Sequence, residues 1–217
     1  MKIYLATADT QEISWASECG FLDGVVASPA ILAREADASG RDAKDILTAI
    51  CDTVDVPVCA AVESVNAADA YRLGHELAKI SDQIVVAVPL VEDTLGALRR
   101  LRAEGVKVTA TLVYTTAQAA LAAKAGASVV SIGIDHLDLY GIDGADVVRE
   151  TTSLLLQHGF ECDVMAWCPR GPAQFGRCAR AGADILAVEP QLLHALLVNP
   201  LTDRGVDRFL AEIGAGS

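Results

Sequence analysis

Basic residues are scarce in this chain. Seventeen lysines and arginines stand against 29 aspartates and glutamates, a net charge of −12 over 217 residues. That balance argues against nucleic acid or an anionic membrane surface as a partner, because both are held by positive patches. Aromatic residues make up only 5%. The apolar fraction of 52% is therefore mostly Ala, Val, Leu and Ile, the mixture that suits a packed α/β core. No run of about 18 apolar residues offers a membrane span. No basic segment followed by an apolar one looks like a secretory leader, so the cytoplasm is the expected location. The six cysteines, Cys19, Cys51, Cys59, Cys162, Cys168 and Cys178, include no C-x-x-C pair. Free thiols are expected, and a disulfide framework or zinc site is not. No G-x-G-x-x-G follows a strand pattern, which weakens a dinucleotide-binding reading.

What is present is a regular alternation. Short β-branched runs at Ile3–Thr7, Gly24–Ala27, Val56–Val62, Gln83–Val88, Lys107–Tyr114, Ser128–Ile134, Asp163–Cys168 and Asp184–Val188 read as eight strands. Amphipathic stretches such as Ala67–Lys79, Glu92–Ala103 and Ala145–Gln157 separate them. Gly105, Gly126, Gly159 and Gly182 stand where each helix returns to a strand, as left-handed caps do. The unit of helix, glycine and strand repeats without a long linker. This predicts an α/β fold of the (β/α)8 TIM-barrel type in one domain, residues 1–213, with an extra C-terminal helix at Leu201–Ile213. An open doubly wound sheet is the structural alternative. Residues 214–217 are expected to fray.

Several segments carry a family resemblance. They are M-K-I-Y-L-A-T-A-D at the start, G-V-V-A-S-P-A-I at Gly24–Ile31 and G-V-K-V-T-A-T-L-V-Y-T-T-A-Q at Gly105–Gln118. K-A-G-A at Lys124–Ala127 and N-P-L-T-D-R-G-V-D-R-F-L at Asn199–Leu210 complete the set. Together they resemble the transaldolase family, in particular its short fructose-6-phosphate-aldolase-like branch, over nearly the full length. The resemblance implies a barrel, no cofactor and a homo-oligomer whose contacts involve the last helix. It also implies a Schiff-base lysine on strand four, where this sequence has Ala87. By the same resemblance the family's acid–base aspartate aligns with Ala6, its asparagine with Ser28 and its Gln or Glu with Ala61. Its strand-six aromatic aligns with Gly133 and its strand-seven serine with Cys168. Thr111 on strand five is retained, with Tyr114 and Gln118 just beyond it.

In a barrel of this kind, chemistry lies at the C-terminal ends of the strands. Small residues at Ala6, Ala61, Ala87 and Gly133 would line an enlarged floor. Lys2 and Lys107 precede their strands and so belong to the opposite mouth, while Lys44, Lys79 and Lys124 lie in helical patterns. No Schiff base is therefore expected. Polar residues gather near the rim instead. Glu63 follows Ala61 by two, Asp135 follows Gly133 by two and Arg170 follows Cys168 by two, each on the same strand face by the period of two. Glu189 ends strand eight. His136 is a candidate general acid or base, oriented by Asp135 or Glu63. Arg170 is a candidate holder of a carboxylate or phosphate. Cys168 is either a pocket wall or a nucleophile. Ser28, Thr111, Tyr114 and Glu189 complete the expected substrate contacts. Trp167 is expected to pack outward. Asp138 and Asp143 read as turn residues rather than metal ligands.

Three functions fit. One is a barrel enzyme turned to non-imine acid–base chemistry on a small polar carbonyl or anionic substrate. A second is an inactive binding protein on the same scaffold. The third is aldol transfer or cleavage on sugar phosphates. An open cavity with converging polar groups favours an enzyme or small-molecule binder, and a floor filled by Tyr4 and Val85 favours the inactive form.

Overall fold

The computed structural model describes residues 1–215. The elements follow in the order β1 (Lys2–Leu5), α1 (Thr10–Glu18), β2 (Gly24–Ala27), α2 (Pro29–Ser39), α3 (Ala43–Thr53), β3 (Val58–Ala61), α4 (Ala67–Ala78) and β4 (Ile84–Pro89). Then come α5 (Leu95–Ala103), β5 (Val108–Val113), α6 (Thr116–Ala125), β6 (Val129–Gly133), α7 (Ile134–Leu139), α8 (Gly144–Gln157) and β7 (Asp163–Trp167). The chain ends with α9 (Pro172–Arg180), β8 (Ile185–Val188), α10 (Pro190–Leu197) and α11 (Pro200–Ala215).

All eight strands are parallel and each pairs with the next. β1 also pairs with β8, from Lys2↔Ile185 to Leu5↔Val188, so the sheet closes. Closure excludes the open doubly wound sheet. It leaves no strand edge among the described residues and satisfies the ladder on both sides of every strand. The expected strands are all present, and most are a residue or two shorter than the sequence pattern suggests. Ile134 leaves the sixth strand and opens α7. Part of the stretch expected to fray, Gly216 and Ser217, lies outside the described residues, while α11 runs through Gly214 and Ala215.

Two apolar layers hold the barrel. The outer one lies between sheet and helices and includes Leu5, Ile46, Leu98, Leu101, Ile132 and Leu186. The helix sequences explain it: α3 buries Ile46, Leu47 and Ile50 at helical spacing, and the Asp42 side chain accepts the Asp45 N–H at its start. The start of α6 carries a reciprocal cap between Thr115 and Gln118, and its end a left-handed Gly126 at φ 104°. The inner layer is smaller: Tyr4, Val26, Cys59, Val85, Val129, Met165, Ile185 and Ala187, with Trp167 against it. These residues plug the barrel floor, as interior layers do in this architecture.

Tyr4 occupies that floor because Gly24 makes room for it. The two are register partners on β1 and β2. A Cβ built on Gly24 would lie 2.5–2.6 Å from three Tyr4 ring atoms. The ring is packed among buried strands and cannot swing away freely. Gly24→Ala should therefore destabilise the fold by about 1–3 kcal/mol through overpacking, read as a lowered urea midpoint with an unchanged slope. An unchanged midpoint would show that the floor repacks without cost.

Candidate active site

Tyr4 and Val85 fill the floor, the arrangement expected of the inactive form, but above that layer the barrel is open, the arrangement expected of an enzyme or small-molecule binder. Residues from β2 to β7 and from α7 surround a cavity of about 490 Å3 at the C-terminal mouth. Its walls include Ala61, Ala87 and Gly133, the small residues expected there. Register explains their grouping: Ala61 is paired with Ala87, and Ala87 with Thr109. Ala6 does not join them. It opens on a separate polar recess with Asp9, Glu12, Arg34 and Glu189, and the floor beneath β1 belongs to Tyr4.

The period of two breaks at two places, and both breaks shape the site. Leu112 (φ 58°) and Cys168 (φ 55°) are the only non-glycine residues with positive φ among the described residues. A bulky residue in that region is an outlier that the surroundings must enforce. On β5 the ladder shifts between Ala110 and Val113, so Thr109, Thr111, Leu112 and Tyr114 all reach the cavity. On β7 the turn at Cys168 ends the alternation. Trp167, paired with Gly133 and Ala187, lies inside the barrel and lines the cavity. The outward Trp167 expected from the sequence is thus corrected: the small partners on either side receive the indole. Cys168 turns instead into a neighbouring recess of about 440 Å3 with Asp135, Arg170 and Glu189.

His136, on α7, lines the cavity. Its Nδ1 lies 2.9 Å from Asp135 Oδ1. A carboxylate only accepts, so Nδ1 carries the proton and donates, which leaves the lone pair on Nε2 of the neutral ring. Arg170 Nη2 lies 3.9 Å from the other Asp135 oxygen. The Tyr114 ring sits 6.0 Å from the imidazole and against Gly133, where a Cβ would fall 2.8 Å from Tyr114 Cε1. Burial, and then the Asp135 charge, raises the Tyr114 phenol above its ordinary value, so it remains a proton donor at neutral pH.

The other expected residues divide. Ser28 and Thr111 line the cavity. Ser28 also caps α2, its Oγ accepting the Ile31 N–H at 3.4 Å. Glu63 is not brought to His136. Past the end of β3 it faces outward into a recess with Lys44, Leu47 and Glu76, so Asp135 is the carboxylate that meets the imidazole. Arg170 and Glu189 line the Cys168 recess rather than the cavity. Gln118 is held by the Tyr114 and Thr115 N–H groups at 2.9 and 3.1 Å and shapes the loop. Asp138 accepts the Gly144 N–H and Asp143 the Ala145 N–H, which is the turn chemistry expected. Lys2 is bound to Asp163 at the opposite mouth, 2.7 Å away. Among the described residues no lysine or arginine lines the cavity. The sequence reading missed Thr109, Ser131, Met165 and Trp167 as cavity residues. Counting back by twos from Thr111 and Gly133 gives the first two.

Burial pushes the Cys168 thiol up to about 12, with Glu189 and then Asp135 adding to the effect. A thiol that stays protonated is a poor nucleophile, so the pocket-wall alternative is the one its environment suits.

Comparison with known proteins follows the geometry. A family model described as Transaldolase/Fructose-6-phosphate aldolase matches residues 3–214. A probable transaldolase of Hyphomonas neptunium is 37% identical over 212 residues, covering 98% of this chain and 96% of the relative. Probable transaldolases of Thermodesulfovibrio yellowstonii and Moorella thermoacetica are each 38% identical over 212 residues, covering 98% of this chain and 97% of each relative.

The raised Cys168 value has a sign and a window. Its folded value lies above the unfolded 9.0, so the stability it contributes is complete below about pH 9 and is lost as pH rises towards 12. Iodoacetamide should label exposed Cys19 readily at pH 8 and Cys168 only slowly, with the Cys168 rate climbing steeply above pH 9. Peptide mapping by mass spectrometry checks this. Fast Cys168 labelling at pH 7 would restore it as a nucleophile.

Proposed function

The chain belongs to the transaldolase/fructose-6-phosphate aldolase family, and from that membership we propose that it is an acid–base enzyme acting on a small carbonyl substrate without a Schiff base. The observation that carries this reading is the pairing of His136 with Asp135 beside a cavity that, among the described residues, no lysine lines. In this mechanism the carbonyl compound enters the barrel mouth with its α-carbon near His136. Nε2 takes the α-proton while Nδ1–H stays on Asp135, whose charge stabilises the imidazolium that forms. Negative charge develops on the carbonyl oxygen as the enol forms. The Tyr114 hydroxyl and the hydroxyls of Thr111 and Ser131 are the donors available at the cavity wall to receive it. Delivery of that proton from His136 to the neighbouring carbon of an enediol gives an isomerised product. Its transfer to a β-hydroxyl, which leaves as water, gives dehydration, and attack of the enolate on a second carbonyl, whose oxygen takes the proton, gives an aldol. Arg170, 3.9 Å from Asp135, acts as a positioning residue for that carboxylate.

Copies of the chain associate through α11 in this reading. No described residue of α11 is buried, and Leu201, Val206, Phe209 and Leu210 are each about half exposed or more. A 16-residue helix with that many uncovered apolar residues has a stable place only against another surface. In this reading the cover is a second copy of the chain, since the net charge of −12 disfavours an anionic membrane surface. Phe209→Asp should move the protein to smaller species in sedimentation velocity. A monomeric wild type would remove the proposal.

The acid–base reading is checked by hydrogen–deuterium exchange at the α-carbon of added ketones in D2O, followed by NMR. His136→Ala should lower the exchange rate by about 10²–10⁴-fold, and Asp135→Asn should lower it with the cavity intact. Equal rates in wild type and His136→Ala would sink the assignment. A borohydride-trapped adduct on wild type would replace it with imine chemistry on a lysine.

A further inference from the structure

The cavity also says what kind of molecule it takes. We infer, resting on the carbonyl reading above, that the substrate is a neutral carbonyl compound carrying a flat apolar ring, stacked against Trp167 and Leu112 at the barrel mouth, rather than a phosphorylated sugar. Three observations carry this.

The first is the wall. Ligand pockets span roughly 300–1,000 Å3, and this one, at about 490 Å3, is within that range. Its walls are mostly apolar, with Val26, Ala87, Met165 and the Trp167 indole among them. The buried polar pair at its floor is already matched: Cys59 Sγ and Thr109 Oγ1 lie 3.8 Å apart. The remaining polar residues, Ser28, Thr111, Tyr114, Ser131 and His136, stand among these apolar walls.

The second is the missing counter-charge. Among the described residues the cavity is lined by no lysine or arginine. A phosphate there would lose its hydration without a cation to replace it. Arg170 faces the next recess and lies beside Asp135. The α2 N-terminus borders the cavity, but Pro29 has no N–H and the Ile31 N–H is given to Ser28 Oγ, so the first turn offers the cavity the Ala30 N–H and no charge. The chain as a whole carries −12, which repels anions further.

The third is Leu112. It is held at φ 58°, an unfavourable region for a leucine, and its side chain is 51% exposed at the rim of the cavity. Strain of this kind clusters at ligand clamps. In the free protein the side chain gains little from burial. Over a bound ring it covers one face, with Trp167 across the cavity mouth to stack on the other. Neutral charge, mostly apolar walls and two apolar faces together describe an aromatic or alicyclic ketone or aldehyde whose oxygen points to Tyr114 and whose α-carbon lies near His136.

The test uses 1-indanone as the ring ketone and fructose 6-phosphate as the charged sugar, on full-length protein. The chain has two tryptophans, and Trp15 stacks on His194 away from the cavity, ring centroids 4.0 Å apart. In a Trp15→Phe background the fluorescence reports Trp167 alone. Saturable quenching by 1-indanone, and none by fructose 6-phosphate, is the expected result. Ala87→Phe, which fills the cavity, should weaken 1-indanone binding by about tenfold or more. Leu112→Ser, on the exposed rim and no threat to folding, should weaken it too. Quenching by fructose 6-phosphate with none by 1-indanone overturns the inference. So does 1-indanone binding that both variants leave unchanged. Ring-ketone binding without His136-dependent exchange upholds the inference and removes the acid–base reading. Exchange on the phosphorylated sugar alone does the reverse.

Discussion

Closure of the sheet through β1 and β8 is the constraint on which the rest depends. Once those strands pair, inward and outward positions are fixed around the whole ring, because side chains alternate strictly along each strand. Closure also leaves a limited interior. Tyr4, Val85, Met165 and Ile185 fill its lower part, and whatever stands at the next inward level sets the depth of the mouth. In this chain that level holds Ala61, Ala87 and Gly133. Small side chains there turn a packed interior into a cavity, and the cavity is what gives the fold a chemical use.

The two departures from alternation have as much influence as the alternation. Positive φ at Leu112 marks an irregularity within β5 just before its last residue, and positive φ at Cys168 turns the chain just past β7, on either side of β6. One break directs an extra apolar side chain to the mouth. The other withdraws a thiol and leaves the indole of Trp167 as the last inward group of its strand. Between them, α7 follows β6 without a loop and sets Asp135 and His136 side by side at the mouth. Among the described residues, the hydrogen-bonded acid–base pair at the cavity rim is thus carried by a six-residue helix between two strained strand segments. Strain at such a place is tolerated because the closed ladder below it holds the chain in position.

Much of the architecture was legible in the sequence. Eight β-branched runs, alternating with amphipathic helices and punctuated by glycines, predict a barrel, and the structure has one. Ala61, Ala87, Gly133, Ser28, Thr111, Tyr114 and His136 were expected at the mouth, and all of them line the cavity. Glu63 and Trp167 depart from expectation for one reason, while Ala6, Arg170 and Glu189, also expected at the mouth, line neighbouring recesses. Glu63 and Trp167 were placed by extending strict alternation past the point where the backbone leaves it. β3 ends at Ala61, so Glu63 no longer obeys the period and faces outward. Cys168 was taken as the inward residue of β7, and its positive φ passes that role to Trp167. A positive φ on leucine or cysteine leaves no composition signal, because neither residue prefers that region.

The sequence alone determined the fold class, the position of each strand, the excess of negative charge and the absence of an amine at Ala87. Those properties follow from local periodicity and residue identity, which the chain states directly. The tertiary structure decided which carboxylate meets His136, which residue stacks inside the barrel, which recess holds Arg170 and how apolar the cavity walls are. Each of these depends on backbone turns at strand ends and on contacts between residues far apart in the chain. Cys59 with Thr109 and Trp167 with Gly133 are such contacts, and only closure of the barrel brings them together.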